Sequence, residues 1–450
     1  MARSTDHHDS PLITRRQVLG AAAAGASALA VSGTGLGRAA AAVATNPLRG
    51  GVPRDPSASG IEHVVVVMME NRSFDHMLGW LPGARGDQTR RYRDATGVRH
   101  DTWHLDTFTG EGFHDPNHSY NGGRQEFRDG HCDGWLQTAN NDIYSIGYYT
   151  ADDLAFYGSA APYWTVCDKF FASIMGPTYP NRFYMHAAQT DRRTNTFDVS
   201  TLPSIWDSLA AAGLDGRYYY SDVPFTALWG GALADISEPY ANFLTACSSG
   251  SLPEVSFVDP RFATTATYGP QCDDHPHADI RRGQFFLNSV YEAVTNSPNW
   301  ENTVFVITYD EWGGFFDHVA PKVAPDVDPL NGLRGFRIPT LVISPLARRN
   351  SIARRTYDHT SILKMIEWRW GLPALTPRDA AARNLAEALD FENPPDLTAP
   401  RWDVPDPDAL PPLTLSSLAS TSGSLRAEAD DHADDWGRIG EMAAQHGFAI

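Results

Sequence analysis

The chain reads as an α/β protein built on a mostly parallel sheet. Residues 64–67 form a β-branched apolar run, and residues 303–309 form a second. Apolar runs of this length between polar segments are strands buried on both faces, as in parallel sheets. Shorter runs at 217–221, 255–259 and 337–344 alternate with helical patterns at 202–213, 285–294 and 362–370. Strand–helix alternation of that kind signals crossover connections. Both long runs also break abruptly into polar side chains, and that edge of an open α/β sheet is where ligands bind.

The first run ends in Glu70, Asn71, Arg72, Ser73, Asp75 and His76. The second ends in Asp310 and Glu311, followed by Gly313 and Gly314. If the two strands are near neighbours, Glu70, Asn71, Asp310 and Glu311 meet in an oxygen-rich cluster suited to a divalent cation.

The chain has 450 residues, 42% hydrophobic and 11% aromatic, with a net charge of −18. That composition fits a packed enzyme of one large or two ordinary domains rather than a disordered chain. The charge excludes a general nucleic-acid binder and gives no bulk attraction to anionic membranes. Any lipid-surface contact is therefore expected to be transient.

Residues 1–44 read as a twin-arginine export signal, with Arg15 and Arg16 ahead of a weakly hydrophobic Ala/Gly-rich segment. Ala42-Val43-Ala44 offers the small-x-small cleavage pattern, so cleavage is expected after Ala44. This predicts use of the twin-arginine machinery and a secreted or cell-envelope location. Outside this signal, no stretch approaches the ~20 apolar residues of a membrane span. Residues 45–60, with Pro47, Pro53 and Pro56, read as a flexible lead-in to a catalytic region over 61–392. Residues 393–450 read as a Pro/Asp-rich arm over 393–415 and a terminal helix over 426–447.

Four cysteines, Cys132, Cys167, Cys247 and Cys272, show no Cys-x-x-Cys zinc spacing. In an exported protein, the local pairs Cys132–Cys167 and Cys247–Cys272 are one expectation and buried free thiols the other.

Within the polar stretch 82–135 lie His114, Asp115, Pro116, Asn117 and His118, a histidine–acid loop able to reach a metal or a phosphate. Further on, Gly176-Pro177-Thr178-Tyr179-Pro180-Asn181-Arg182 bends the chain sharply before a helix expected from about Asn181. Thr178 then either caps that helix or presents a hydroxyl beside its positive N-terminal end. Residues 235–247 read as helical, and Asp273, Asp274, His275 and His277 cluster ahead of the long amphipathic helix. The aromatic segments 144–149 and 218–229 read as core or as the lining of an apolar groove.

Taken together, residues 70–76, 176–182, 274–276 and 310–318 resemble the bacterial phosphoesterase family, which contains phospholipases C and acid phosphatases. The resemblance implies an alkaline-phosphatase-like, three-layer α/β/α sandwich. It implies that Glu70, Asn71, Thr178, Asp310 and Glu311 hold a divalent metal ion. It also implies that Thr178 is the nucleophile and that His275 contacts phosphate. His114, His118, His318 and His359 are weaker members of the same set. Glu311 and Thr178, in place of Asp and Ser, resemble the phospholipase branch more.

Such a site would work by neutralising phosphate charge and lowering the pKa of the threonine hydroxyl. Thr178 would form a phosphothreonine, and His275 or His118 would protonate the leaving alcohol. The expected activity is an exported phospholipase C releasing diacylglycerol and a phosphorylated head group. A broad-specificity acid phosphatase and a non-catalytic metal- or phosphate-binding protein are the alternatives. Oxygen ligands favour Ca²⁺, Mg²⁺ or Mn²⁺, and histidine ligation would favour Zn²⁺.

Overall fold

The computed structural model describes residues 51–265, 267–410 and 425–450, with side chains in the last stretch from 432 onward. The expected export signal lies outside the described residues. The described residues fall within a single compact unit that takes in residues 393–410 and the terminal helix. No helix among the described residues is long and apolar enough to cross a membrane.

An eight-stranded sheet runs through the middle. In spatial order its strands are Ser351–Ala353, Thr165–Cys167, Leu341–Ile343, Thr303–Tyr309, His63–Met69, Val255–Val258, Gly216–Tyr220 and Ser237–Pro239. Every neighbouring pair is parallel except the two made by Leu341–Ile343, which runs against both its neighbours. The two long apolar runs lie side by side, His63 opposite Thr303 and Met69 opposite Tyr309. All seven residues of Thr303–Tyr309 are buried, as are all but His63 in His63–Met69. β-Branched residues dominate both strands because a sheet covered on two faces offers apolar contact to successive side chains.

The helices complete an α/β/α sandwich. Thr178–Ala187 packs against His359–Trp370 and Ile205–Ala211, while Tyr240–Ser249 packs against Ile280–Thr295. The expected helix over 235–247 is corrected: residues Ser237–Pro239 form the edge strand, and the helix is Tyr240–Ser249. Pro239 is why the helix starts only after it. Proline lacks an amide hydrogen, so it suits the end of an edge strand and the entry to a helix.

The helix after the Gly-Pro bend also begins earlier than expected, at Thr178, with Pro177 as its N-cap. Pro180 falls in the first turn, where the missing amide hydrogen has no intrahelical partner to lose.

All four cysteines are buried free thiols, so the expected local disulfide pairs do not form. Cys132 belongs to a satellite apolar cluster around Trp135 and Trp312, whereas Cys167 sits on a strand of the main core. Cys247 and Cys272 have their thiol pKa pushed up to about 12, chiefly by burial. Such thiols are inert apolar side chains rather than reactive ones.

Candidate active site

The two strand ends interlock. Asn71 takes a left-handed backbone, φ 58°, which its short polar side chain tolerates. That turn aims its amide hydrogen at Asp310 Oδ1, 3.0 Å away. Asp310 Oδ1 also accepts the Glu311 amide at 2.6 Å, and Glu311 Oε2 accepts the Gly313 amide at 2.6 Å. Gly313, φ 64°, passes so close to Asn71 that a Cβ there would meet the Asn71 carbonyl oxygen at 2.0 Å.

The helix Thr178–Ala187 enters from the side. Thr178 Oγ1 donates to Asn71 Oδ1 at 3.3 Å. The Asn71 side-chain Nδ2 lies 3.4 Å from His118 Nε2, and His118 Nδ1 lies 2.8 Å from the Pro116 carbonyl. A carbonyl only accepts, so Nδ1 carries the hydrogen and Nε2 faces inward with its lone pair. His275 repeats the arrangement, with Nδ1 2.9 Å from the Pro276 carbonyl. His275 Nε2 lies 3.9 Å from Asp115 Oδ2, and the His118 and His275 rings meet edge to face at 5.9 Å.

Arg182, one turn along from Thr178, is fully buried beneath this group. Its guanidinium reaches Asp259 Oδ1 at 2.9 Å, Glu70 Oε1 at 3.2 Å and Asp310 Oδ2 at 3.5 Å. One cation thus serves three carboxylates, and Glu311 adds a fourth. Burial, opposed by Arg182, drives the Glu70 carboxyl well above its ordinary range. Burial and then the Asp310 charge do the same to Glu311, and burial raises Asp310. Glu70 Oε1 and Oε2, Asp310 Oδ2 and Glu311 Oε1 are all buried without a hydrogen bond. Buried carboxylate oxygens in this state are costly unless neutralised. The donor set therefore fits a divalent cation. His275 and His432 also come within 4.8 Å of Glu70, and Asp115, His118 and His275 form a second trio at the same spacing.

A cavity of about 380 Å³ opens over the site, with Thr178, His118, His275, Asp115, His432 and Trp436 on its wall. The sequence-predicted Glu70, Asn71, Thr178, Asp310, Glu311, His118 and His275 are thus gathered at one place.

His114, His318 and His359 stand apart from that wall. His114 is tied through its amide to Asp142 Oδ2 at 2.9 Å. His318 belongs to a network behind the strand end, its ring on Asp75, with Arg337 bridging Asp75 at 2.9 Å and Asp317 at 2.9 Å. His359 is locked between Ser173 Oγ at 3.0 Å and the Tyr309 carbonyl at 2.8 Å. Burial holds its pKa down at about 4. Tyr144, Tyr149, Tyr218, Phe225 and Trp229 are buried core and do not line the cavity.

Sequence reasoning left Arg182, Asp273 and His432 without roles. Arg182 closes the 176–182 motif and Asp273 directly precedes residues 274–276, so both were within reach of a sequence argument. For His432 the sequence carries no local signal, because only docking of the terminal helix brings it here.

A buried, mostly parallel sheet with a hydroxyl held against an acid cage at its carboxyl edge suits a phosphoric ester hydrolase, the class to which the relatives also point. Residues 61–373 match the model of the Phosphoesterase family, and the chain belongs to that family. Phospholipase C B of Mycobacterium tuberculosis is 31% identical over 89% of this chain and 90% of the relative. Non-specific phospholipase C6 of Arabidopsis thaliana is 28% identical, over 86% and 81%. Among solved structures, an alkaline phosphatase superfamily protein from Vibrio parahaemolyticus aligns over 74% of this chain and 71% of its own, with 11% identity and a TM-score of 0.36. The lipoteichoic acid synthase LtaP of Listeria monocytogenes aligns over 88% and 95%, with 7% identity and a TM-score of 0.40.

Proposed function

We propose that the chain is an exported, metal-dependent phospholipase C that releases diacylglycerol and a phosphorylated head group. The observation that carries this is the Thr178 hydroxyl on Asn71 Oδ1, above three buried acids with oxygens that accept no hydrogen bond. Relatives named phospholipase C along most of the chain support the substrate class.

Glu70, Asn71, Thr178, Asp310 and Glu311 would hold the ion. Bound there, a divalent cation supplies charge neutralisation and a lowered hydroxyl pKa. Asn71 orients Thr178 Oγ1 by accepting its hydrogen bond in the resting site. Thr178 attacks phosphorus in line, its proton passing to solvent, and the phosphorus–oxygen bond to diacylglycerol breaks to give a phosphothreonine. His275 and His118 present Nε2 to the cavity, so either ring in its protonated form donates to the departing oxygen. Water then attacks phosphorus from the vacated side and returns a proton to the histidine. The bond from phosphorus to Thr178 Oγ1 breaks, the threonine hydroxyl regains a proton from solvent, and the phosphorylated head group leaves. Buried beneath, Arg182 opposes the upward pull of burial on the Glu70 and Asp310 carboxyls and holds both in place.

Twin arginines at 15 and 16 support export. The mature exported protein is expected to begin at Thr45, which N-terminal sequencing reads directly.

The decisive assay is chelation, then add-back of Ca²⁺, Mg²⁺, Mn²⁺ or Zn²⁺ one at a time. Phosphatidylcholine vesicles and a soluble aryl phosphomonoester serve as substrates. Diacylglycerol release restored by one metal, and lowered by on the order of 10³-fold or more in Thr178→Ala, is the expected result. Cleavage of the monoester alone would make the protein a phosphatase, and retained turnover in Thr178→Ala would remove the threonine mechanism.

A further inference from the structure

The helix Leu425–Gln445 lies beyond the matched residues 61–373. It nevertheless brings His432 and Trp436, one turn apart on one face, to the cavity wall. The His432 ring stacks face to face on the His275 ring, centroids 3.6 Å apart and planes 19° from parallel. His432 Nε2 lies 3.4 Å from Asp273 Oδ2 and 3.6 Å from Glu70 Oε2. Asp273 Oδ1 accepts the backbone amide of His275 at 3.0 Å. One carboxylate thus fastens the main chain of one histidine and faces the ring of the other. Trp436 anchors the helix by stacking on Phe262, centroids 3.7 Å apart and 4° from parallel. Phe262 in turn lies 4.6 Å from the Arg182 guanidinium.

Among the described residues, the His275 ring makes one hydrogen bond, through Nδ1 to the Pro276 carbonyl. A single bond at one edge leaves a ring able to tilt, and a flat neighbour removes that freedom. We propose that His432 is a positioning residue. It holds the His275 imidazole flat, with Nε2 toward the phosphoryl cavity, so that the C-terminal helix is part of the active site. This rests on the phosphoryl-transfer reading of that cavity.

The test compares His432→Ala, His432→Phe and His432→Gln in the full chain, with Glu441→Ala on the exposed side of the same helix as control. A soluble aryl phosphodiester is the substrate, and kcat, KM, bound metal and unfolding midpoint are read in parallel. His432→Ala is expected to lower kcat by roughly 10- to 100-fold with KM and metal content close to the parent. His432→Phe, which keeps a flat ring, is expected to recover most of that loss, and His432→Gln little of it. Unchanged kcat in His432→Ala overturns the proposal. Metal content falling in step with activity also overturns it, by making His432 a ligand. Should His432→Ala fail to fold, equal losses in the Phe and Gln variants overturn it. A parent enzyme that cleaves the aryl diester but not phospholipid would sink only the lipid assignment.

Discussion

At the residue scale, the site is governed by unbalanced buried charge. Arg182 is a single guanidinium among Glu70, Asp259 and Asp310, and it is itself covered by the Phe262 ring. A buried ion pair repays desolvation only when its geometry and hydrogen bonds are complete. Here Asp259 is satisfied by Arg182 and by Tyr218 Oη, whereas Glu70 keeps two oxygens without hydrogen bonds. The residual charge is what a cation would answer. Away from the site, Glu367 poses a similar problem with a different answer. It lies on His359–Trp370, 2% exposed, and burial followed by the neighbouring Asp379 pushes its pKa up to about 9. Its unfolded value is 4.5, so the native state binds the extra proton across that interval. Stability from this group is therefore complete below about pH 4.5 and is lost as the pH rises through 9. Glu367→Gln carries an amide donor in place of that proton. It is expected to match the parent at pH 5 and to exceed it at pH 9 by a few kcal/mol at most, a tenfold change in proton affinity being worth about 1.4 kcal/mol. Urea unfolding at the two pH values reads the difference, and equal midpoints at pH 9 would show that Glu367 is ionised without penalty.

At the element scale, the long central strands were legible because their composition and their function coincide. Uninterrupted β-branched runs placed His63–Met69 and Thr303–Tyr309, and the abrupt change to acids placed the site at their ends. Shorter elements were less legible. Ser237–Pro239 is an edge strand of three residues, and no periodicity distinguishes it from the helix that follows. Leu341–Ile343 runs antiparallel within an otherwise parallel sheet, a direction that only the tertiary connection decides. The interlock of the two long strand ends makes a direct prediction. A Cβ at Gly313 would stand 2.0 Å from the Asn71 carbonyl oxygen, and the φ of 64° is itself unfavourable for alanine. Gly313→Ala must then push Asn71 away, displacing the acceptor of Thr178 and the donor to Asp310. A stability loss of about 1–3 kcal/mol is expected together with weaker metal binding. Calorimetry against the activating metal reads both effects, and unaltered affinity would mean that the turn adapts without moving Asn71.

At the scale of the whole molecule, the sequence could not say which distant segments meet. The ligand cage was readable because each half sits at the end of a strong strand signal. His432 was not, because a lone histidine on an acidic helix gives no hint of which face docks or where. The same limit separated His318 and His359 from His118 and His275: all four look alike as histidines beside acids, and only packing sends two to the cavity and two into supporting networks. Net charge, by contrast, needs no fold. At −18 the protein carries a field that opposes approach to an anionic bilayer. If phospholipid is the substrate, replacing part of a phosphatidylcholine vesicle with anionic lipid should slow hydrolysis at low salt. The Debye length shrinks from about 30 Å at 0.01 M salt to about 10 Å at 0.1 M, so added salt should erase most of the slowing. A neutral vesicle run over the same salt range controls for effects on the chemical step. Faster hydrolysis on anionic vesicles at low salt would instead reveal a local basic docking patch strong enough to override the global charge, and binding measured with Thr178→Ala would then locate that patch without turnover.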